Sequence, residues 1–517
     1  MKRRMFLAGL AATAFSPLAD ARACSLSIDN GPLKIGRVGP FESFDPLDAR
    51  GDDRVISRNI HISAFDYDWN GSRWTIEPAL IENVDIADAK EGEPQPITLH
   101  VRRGVLLSDG SEISARLVAD SLIRQIKFGL YPISQYVSGV EAIQVGDDYT
   151  LTITLKTKVD DFRTILLGPM PGCLIDLTVT TAGAQSPAEA KIPLDAYMAK
   201  KVKTGGAYLL QSGDRNIGAV LICKGSYPAL PDGFQEIRFQ IFSDIDAALL
   251  ALENGDIHIL GPLDDPRIST TIRRFELNDS RYRVERLRIA SNYIVAVNRR
   301  KDGQEPSNSK KLALYHAART LRVSGGLESF LQMSDSLFPQ PISRGEGLML
   351  PTASVEQARQ LAKNLAGGEQ SSTLAINASR PTDKAIAAQL AGHFAELGMD
   401  LEIVEDPKQF DVAYESRSAG SDLTLMRIVA ENLTWLTHLD VLSGRDKSAL
   451  YERISAFTAA GLPADGGKEL ESHIIASGDY IPLFDRKTVW ATKAGITVDL
   501  NFDGQLGNLS RIRYKSA

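Results

Sequence analysis

Seven histidines, His61, His100, His258, His316, His393, His438 and His473, are the first residues to weigh for metal or proton chemistry. None sits at H-x-x-x-H spacing and none shares a Cys/His cluster, so the sequence points to no direct metal site and implies no cofactor. Ser307-Asn308-Ser309-Lys310 fits S-x-x-K and Lys203-Thr204-Gly205 fits K-T-G, both marks of penicillin-recognising serine enzymes. There S-x-x-K precedes K-T-G; here the order is reversed and S-D-N is missing. No G-x-S-x-G elbow and no G-x-x-x-x-G-K-[ST] phosphate loop occurs. A secreted serine hydrolase is therefore a minor alternative, and the expectation is a protein that is not an enzyme. Of the three cysteines, Cys173 and Cys223 could pair in an oxidising compartment or stay separate buried thiols, since sequence gives no Cα distance.

The chain has 517 residues, 43% of them hydrophobic and 24% charged. At roughly 150 residues per domain this suggests two to four domains with ample core, and excludes long disorder, collagen or coiled coil. Residues 1–23 carry Lys2, Arg3, Arg4 and Arg22 against Asp20. They run from a basic start through an apolar stretch to Ala21-Arg22-Ala23, which reads as a removable signal peptide. Arg3-Arg4-Met5-Phe6-Leu7 fits a twin-arginine core. Cys24 follows the cut, but Ala21 and Arg22 suit lipidation poorly, so a soluble periplasmic protein is expected. The remainder has 54 basic and 64 acidic residues, a charge of −10, which argues against nucleic acid as partner. No later window is apolar enough to span a bilayer.

The elements that must position any site are legible as patterns. Residues 32–38, 97–101 and 149–155 read as strands. Ser108-Asp109-Gly110 is a tight turn, and Ser114 caps a helix with Val118, Leu122 and Ile126 at spacing four. Residues 245–253 are a helix stopped by Asn254-Gly255, with strand 256–260 behind it. Residues 291–298 form a buried strand, 302–311 a loop and 312–321 a helix. Helix 355–365 follows Ser354; strand 373–377, helix 382–397 and strand 400–404 make a parallel βαβ unit. Further strands are expected at 422–429, 480–484 and 488–492.

In this order the segments resemble the extracytoplasmic solute-binding proteins of the peptide and nickel ABC-importer family. Phe44-Asp45-Pro46 is similar to its L-D-P, and Glu77-Pro78-Ala79-Leu80 to its P-x-L-A. Leu99 through Gly110, with Ala115 and Val118, is similar to the hallmark f-x-L-R-x-G-V-x-F-x-D-G-x-x-x-x-A-x-D-V. Lys203 through Tyr208 resembles a degraded G-T-G-P-Y. Residues 251–259, the strand from Tyr293 to Asn298, and Ile481-Pro482-Leu483 match later family segments. The resemblance covers essentially the whole chain after the signal and is loose from 320 to 440.

The resemblance implies an α/β, two-lobed periplasmic-binding-protein fold of type II-like architecture. The first lobe would be 24–284, with an extra subdomain at about 61–160, completed by a return segment at 478–517; the second lobe would be 285–477. It implies a monomer that captures a small solute, a peptide or peptide-like amine, by hinge closure and presents it to an ABC permease and ATPase. A non-transport co-receptor or chaperone is the alternative. Where the family holds a ligand's amino terminus with an aspartate, this sequence has Glu431, followed by Asn432 and Trp435. Phe41 and Glu42 would line the first-lobe side, and Phe484 and Asp485 would follow the late strand toward the cleft. Arg299 and Arg300 are candidates to receive a carboxylate, against a solvated pair.

Overall fold

A computed structural model describes residues 24–28, 31–47, 49, 53–69, 74–90, 92–128, 139–156, 173–174, 185–224, 233–298, 306–334, 336–338, 352–405, 421–429, 468–501 and 503–515. The chain opens with β1 (Leu33–Val38), α1 (Asp53–Ile60) and β2 (Ile62–Ser63). A hairpin, β3 (Phe65–Trp69) and β4 (Trp74–Pro78), leads into β5 (Ile81–Ile86), β6 (Gln95–Val101), α2 (Ala115–Phe128), β7 (Val140–Asp147) and β8 (Thr150–Leu155). The last four strands form a separate antiparallel sheet in the order β5-β6-β8-β7. Alternation along β6 and β8 turns Ile97, Leu99, Leu151 and Ile153 inward, where Val118 and Leu122 of α2 meet them in a core of their own.

The Phe44-Asp45-Pro46 motif couples this unit to the rest. The buried carboxylate of Asp45 receives both Nη atoms of Arg124 on α2, at 3.0 and 2.6 Å. It also accepts the backbone N–H of Ile192 at 2.7 Å. A bidentate pair is worth most when desolvated, and here both Nη atoms of Arg124 and both oxygens of Asp45 are hydrogen-bonded.

After β9 (Cys173–Leu174), α3 (Pro187–Ala190) and α4 (Leu194–Met198) come β10 (Tyr208–Asp214), β11 (Gly218–Cys223) and β12 (Glu236–Phe242). Next are α5 (Ile245–Asn254), β13 (Ile259–Leu263), α6 (Ser269–Asn278), β14 (Tyr282–Val297), α7 (Asn308–Thr320) and β15 (Leu331–Met333). Then follow α8 (Val355–Asn364), β16 (Ser371–Ile376), α9 (Pro381–Glu396), β17 (Asp400–Glu405), β18 (Leu423–Val429), α10 (Lys468–Ser477), β19 (Tyr480–Lys493), β20 (Ile496–Thr497) and β21 (Arg513–Tyr514). One mixed sheet runs through the molecule in the order β10-β11-β12-β1-β13-β19-β14-β18-β16-β17, with β15 beside β19. The expected βαβ unit is present, since β16 and β17 pair in parallel around α9.

Five expectations need correction. The strand expected at 291–298 is the second half of β14, a 16-residue strand. Its first half alternates Arg283, Glu285, Arg286 and Arg288 with apolar residues and is half-buried, so charge hid it. The strands expected at 480–484 and 488–492 are one strand, β19; Asp485, Arg486 and Lys487 interrupt the apolar pattern without interrupting the backbone. The strand after α5 starts at Ile259, not 256, because the N–H groups of Asp256 and Ile257 bond back to Ala251 O and close the helix. The expected loop 302–311 gives way to α7 at Asn308, whose first turn is polar because Ser307 caps it. Cys223 bonds to Cys24, not Cys173, with Cα atoms 6.2 Å apart, and Cys173 lies in β9 opposite Ser63. Among the described residues no helix is long and apolar enough to cross a membrane.

Candidate functional site

Strand direction decides where a site can form. β1, β12 and β13 run parallel, so the chain leaves all three on one edge, at residues 39–44, 243–244 and 264–265. β16, β17 and β18 also run parallel and leave the sheet just after 376, 405 and 429. The registers bring these two edges together. Leu263 pairs with Val489 of β19, and Val429 pairs with Ser291 of β14. Both ends therefore converge on the middle of β14 and β19, where the ladder between them is interrupted from Arg288 to Asn292. The crevice outside the carboxyl ends of parallel strands is where open α/β sheets place ligands.

Of the expected residues, two lie near these strand ends. Glu42 is exposed on the loop after β1, and Asp485 is buried in β19 opposite Asn292, where the ladder to β14 is interrupted. Phe41 is fully buried: it packs edge-on against Phe44 at 5.1 Å, and Arg37 lies 4.4 Å over its ring. It shapes the loop from beneath. Phe484 is likewise core, opposite Tyr293. Glu431, Asn432, Trp435, Arg299 and Arg300 lie outside the described residues; Glu431 follows the end of β18 by two positions.

The loop carrying Glu42 is held by Asp53, the first residue of α1. Its Oδ2 accepts the backbone N–H groups of Glu42 and Ser43 at 2.7 and 2.9 Å. Its Oδ1 accepts Nη1 of Arg37 at 2.6 Å, and Nη2 of Arg37 donates to Pro40 O at 3.0 Å. A carboxylate at a helix start that gathers two loop amides fixes the loop backbone against the rigid element behind it.

At the meeting point stands a cluster the sequence reading missed. Asp264, at the end of β13, faces Arg427 of β18 and Arg486 of β19; each guanidinium approaches the same oxygen, Oδ2, at 3.4 Å. Nη1 of Arg486 donates to Ser291 Oγ at 3.2 Å. The hydroxyl of Thr382, in the first turn of α9, donates to Asp264 O. Behind them Tyr293 donates to Asp383 Oδ1 at 2.7 Å, and Arg380 stands 3.6 Å from the other oxygen. Burial pushes the Asp383 carboxyl and the Tyr293 phenol up. Burial and the neighbouring Arg427 lower Arg486 to about 10. The signal for these residues was a charge within an apolar strand, as in Leu423 to Val429 and Tyr480 to Trp490. Such a charge is tolerated only where a partner or a ligand compensates it.

The patterns that suggested a hydrolase have structural uses. Ser307 Oγ accepts the backbone N–H of Lys310 as the cap of α7, and Lys310 Nζ is turned to Ser371 O at 3.0 Å. Lys203 pairs with Asp109 at 3.0 Å. Among the described residues no group of three or more His, Cys, Asp or Glu side chains is placed to hold a metal. A polar hollow also lies at the far end of α1, lined by Arg58, Asp66, Trp74 and Asp499. It is away from the converging strand ends.

Comparison with known proteins fits this architecture. Residues 75–434, more than half the chain, match the bacterial extracellular solute-binding proteins, family 5 (middle region). A probable D,D-dipeptide-binding periplasmic protein, DdpA of Escherichia coli (strain K12), is 21% identical over 283 residues, 54% of this chain. The match spans about half of that relative, 51% of its length. The ABC transporter substrate-binding protein CtaP of Listeria monocytogenes superposes with a TM-score of 0.75 at 18% identity, covering 94% of this chain and 99% of its own. The periplasmic binding protein DppA of Helicobacter pylori, solved with the peptide STSA, gives 0.71 at 18% identity, covering 94% and 98%. The fold is thus the two-lobed periplasmic-binding-protein fold, and the chain belongs to family 5 of the bacterial extracellular solute-binding proteins.

Proposed function

We propose that this protein is the periplasmic solute-capturing subunit of an ABC importer, taking up peptides or peptide-like solutes and handing them to a membrane permease and its ATPase. The observation that carries the reading is the convergence of two sets of parallel strand ends on β14 and β19, in a chain of this family. The first lobe would comprise 24–284 and 478–517, the second 285–477, with β14 and β19 as the crossing strands. Solute binding between the lobes would favour a closed form through its differential contacts.

Glu42, Asp485 and Glu431, with Asn432 and Trp435 beyond it, would line the cleft. Glu431 would hold a ligand ammonium by a charge-assisted bond. Native mass spectrometry of the protein purified from an exporting host tests the reading: the expected result is a bound peptide of unaltered mass, released on denaturation. A bound sugar, or a guest recovered cleaved, would overturn it. Glu431→Gln is expected to weaken peptide binding by on the order of 2–5 kcal/mol, read by calorimetry; an unchanged dissociation constant removes Glu431 from the site.

Burial of the Cys24 thiol in its bond to Cys223 fits a diffusible protein better than a lipid-anchored one. Export by the twin-arginine route is part of the same proposal.

A further inference from the structure

We infer that Arg427 and Arg486 form an anion subsite for a carboxylate-bearing guest, and that Asp264 is a built-in competitor that occupies it when no guest is present. The inference rests on the proposed solute-binding role and names the ligand chemistry of that cleft. Three observations carry it. First, the cations are under-neutralised: two guanidiniums share one carboxylate oxygen, each at 3.4 Å, where a satisfied pair would be shorter and bidentate. Among the described residues, the carboxylates facing these two guanidiniums are Asp264 and, behind it, Asp383. Second, Nε of Arg427 is buried and meets no acceptor among the described residues. Leaving a buried donor unmet is costly, and a planar oxyanion is the group a guanidinium edge fits.

Third, Asp264 differs from its partners in exposure. Its side chain is 46% exposed, against 23% for Arg427 and 12% for Arg486. It stands at the open side of the cluster and can swing into solvent, while the arginines are fixed in strands. It also belongs to the strand end of β13, whereas Arg427 belongs to β18 across the convergence. A guest carboxylate replacing it would keep the cations compensated and release one aspartate to water. No bond is made or broken in the guest.

The consequence is that removing an acidic residue should tighten binding of acidic guests. The test uses Asp264→Asn, Arg427→Gln and the double variant in two arms, each checked for native circular dichroism. In the first arm sodium acetate replaces sodium chloride at constant ionic strength. Acetate is expected to raise the melting temperature of Asp264→Asn by a degree or more, with a smaller rise in the parent and none in the double variant. Equal responses in all forms would overturn the anion subsite whatever the natural ligand is. The second arm uses a tripeptide mixture with free carboxyl ends and the same mixture amidated. Free acids are expected to bind Asp264→Asn at least ten-fold tighter than the parent, and amides equally to both. Equal binding of acids and amides by every form would overturn the inference while leaving peptide capture standing. Failure of both mixtures, with the acetate effect present, would instead overturn the peptide reading and keep the subsite.

Discussion

Asp53 shows how one side chain can govern a site it does not touch. It is buried, it neutralises Arg37, and it holds the amides of Glu42 and Ser43. Asp53→Asn keeps the shape but removes the charge, so Arg37 is left buried and unpaired. We expect a loss of about 3 kcal/mol of stability, read by denaturant titration, and a lower peptide affinity by calorimetry; unchanged values in both would show that the loop is held by other contacts. Two histidines make a second prediction at this scale. Burial pushes His316 and His393 below the usual imidazole range. His316 Nδ1 accepts the backbone N–H of Ser354, and His393 Nε2 lies 3.0 Å from the Thr320 hydroxyl. Because the folded state favours the neutral rings, the unfolded chain binds protons first as pH falls through about 6.5. Their stabilisation is complete above that value and is lost toward pH 5. A His316→Gln, His393→Gln protein should show a flatter decline of melting temperature over pH 7 to 5; an identical slope would exclude both rings as the source.

At the scale of elements, β14 and β19 are the parts everything else depends on. Where their ladder is interrupted, Asn292 is fully buried and its amide donates to Leu337 O at 2.7 Å. Asn292→Ala leaves that carbonyl unmet and is expected to cost about 1–3 kcal/mol in denaturant titration; a neutral effect would mean water replaces the amide. These two strands were also the least legible in the sequence. Periodicity located α2, α5, α8, α9 and the βαβ unit, because apolar residues recur at helical spacing on their inward faces and some ends carry caps such as Ser354 and Gly255. It truncated β14 and split β19, because a strand crossing between two environments changes its burial pattern midway, and here carries charges at the crossing. The candidate site was half legible for the same reason. Glu42 and Asp485 could be named from a family pattern and lie near the converging strand ends, whereas Asp264, Arg427 and Arg486 come together only through strand register, which no local spacing encodes.

At the scale of the molecule, the Cys24–Cys223 bond ties the first of the described residues to β11 across 199 positions. Beside it, Leu26 bridges Phe234 and exchanges backbone hydrogen bonds with Gly233 and Gln235. Closing so long a loop restricts the unfolded chain, so Cys223→Ser should lower stability by about 2–5 kcal/mol, with non-reducing peptide mapping of the parent showing the linked pair. A parent carrying an acyl chain on Cys24 would contradict both the pairing and a diffusible protein. The central claim is that two lobes close on a guest by bending at β14 and β19. Small-angle X-ray scattering of the full mature protein, with and without a saturating tripeptide mixture, tests it most directly. A smaller radius of gyration with peptide is the predicted result; bound peptide, shown by calorimetry on the same sample, with an unchanged scattering profile would contradict it.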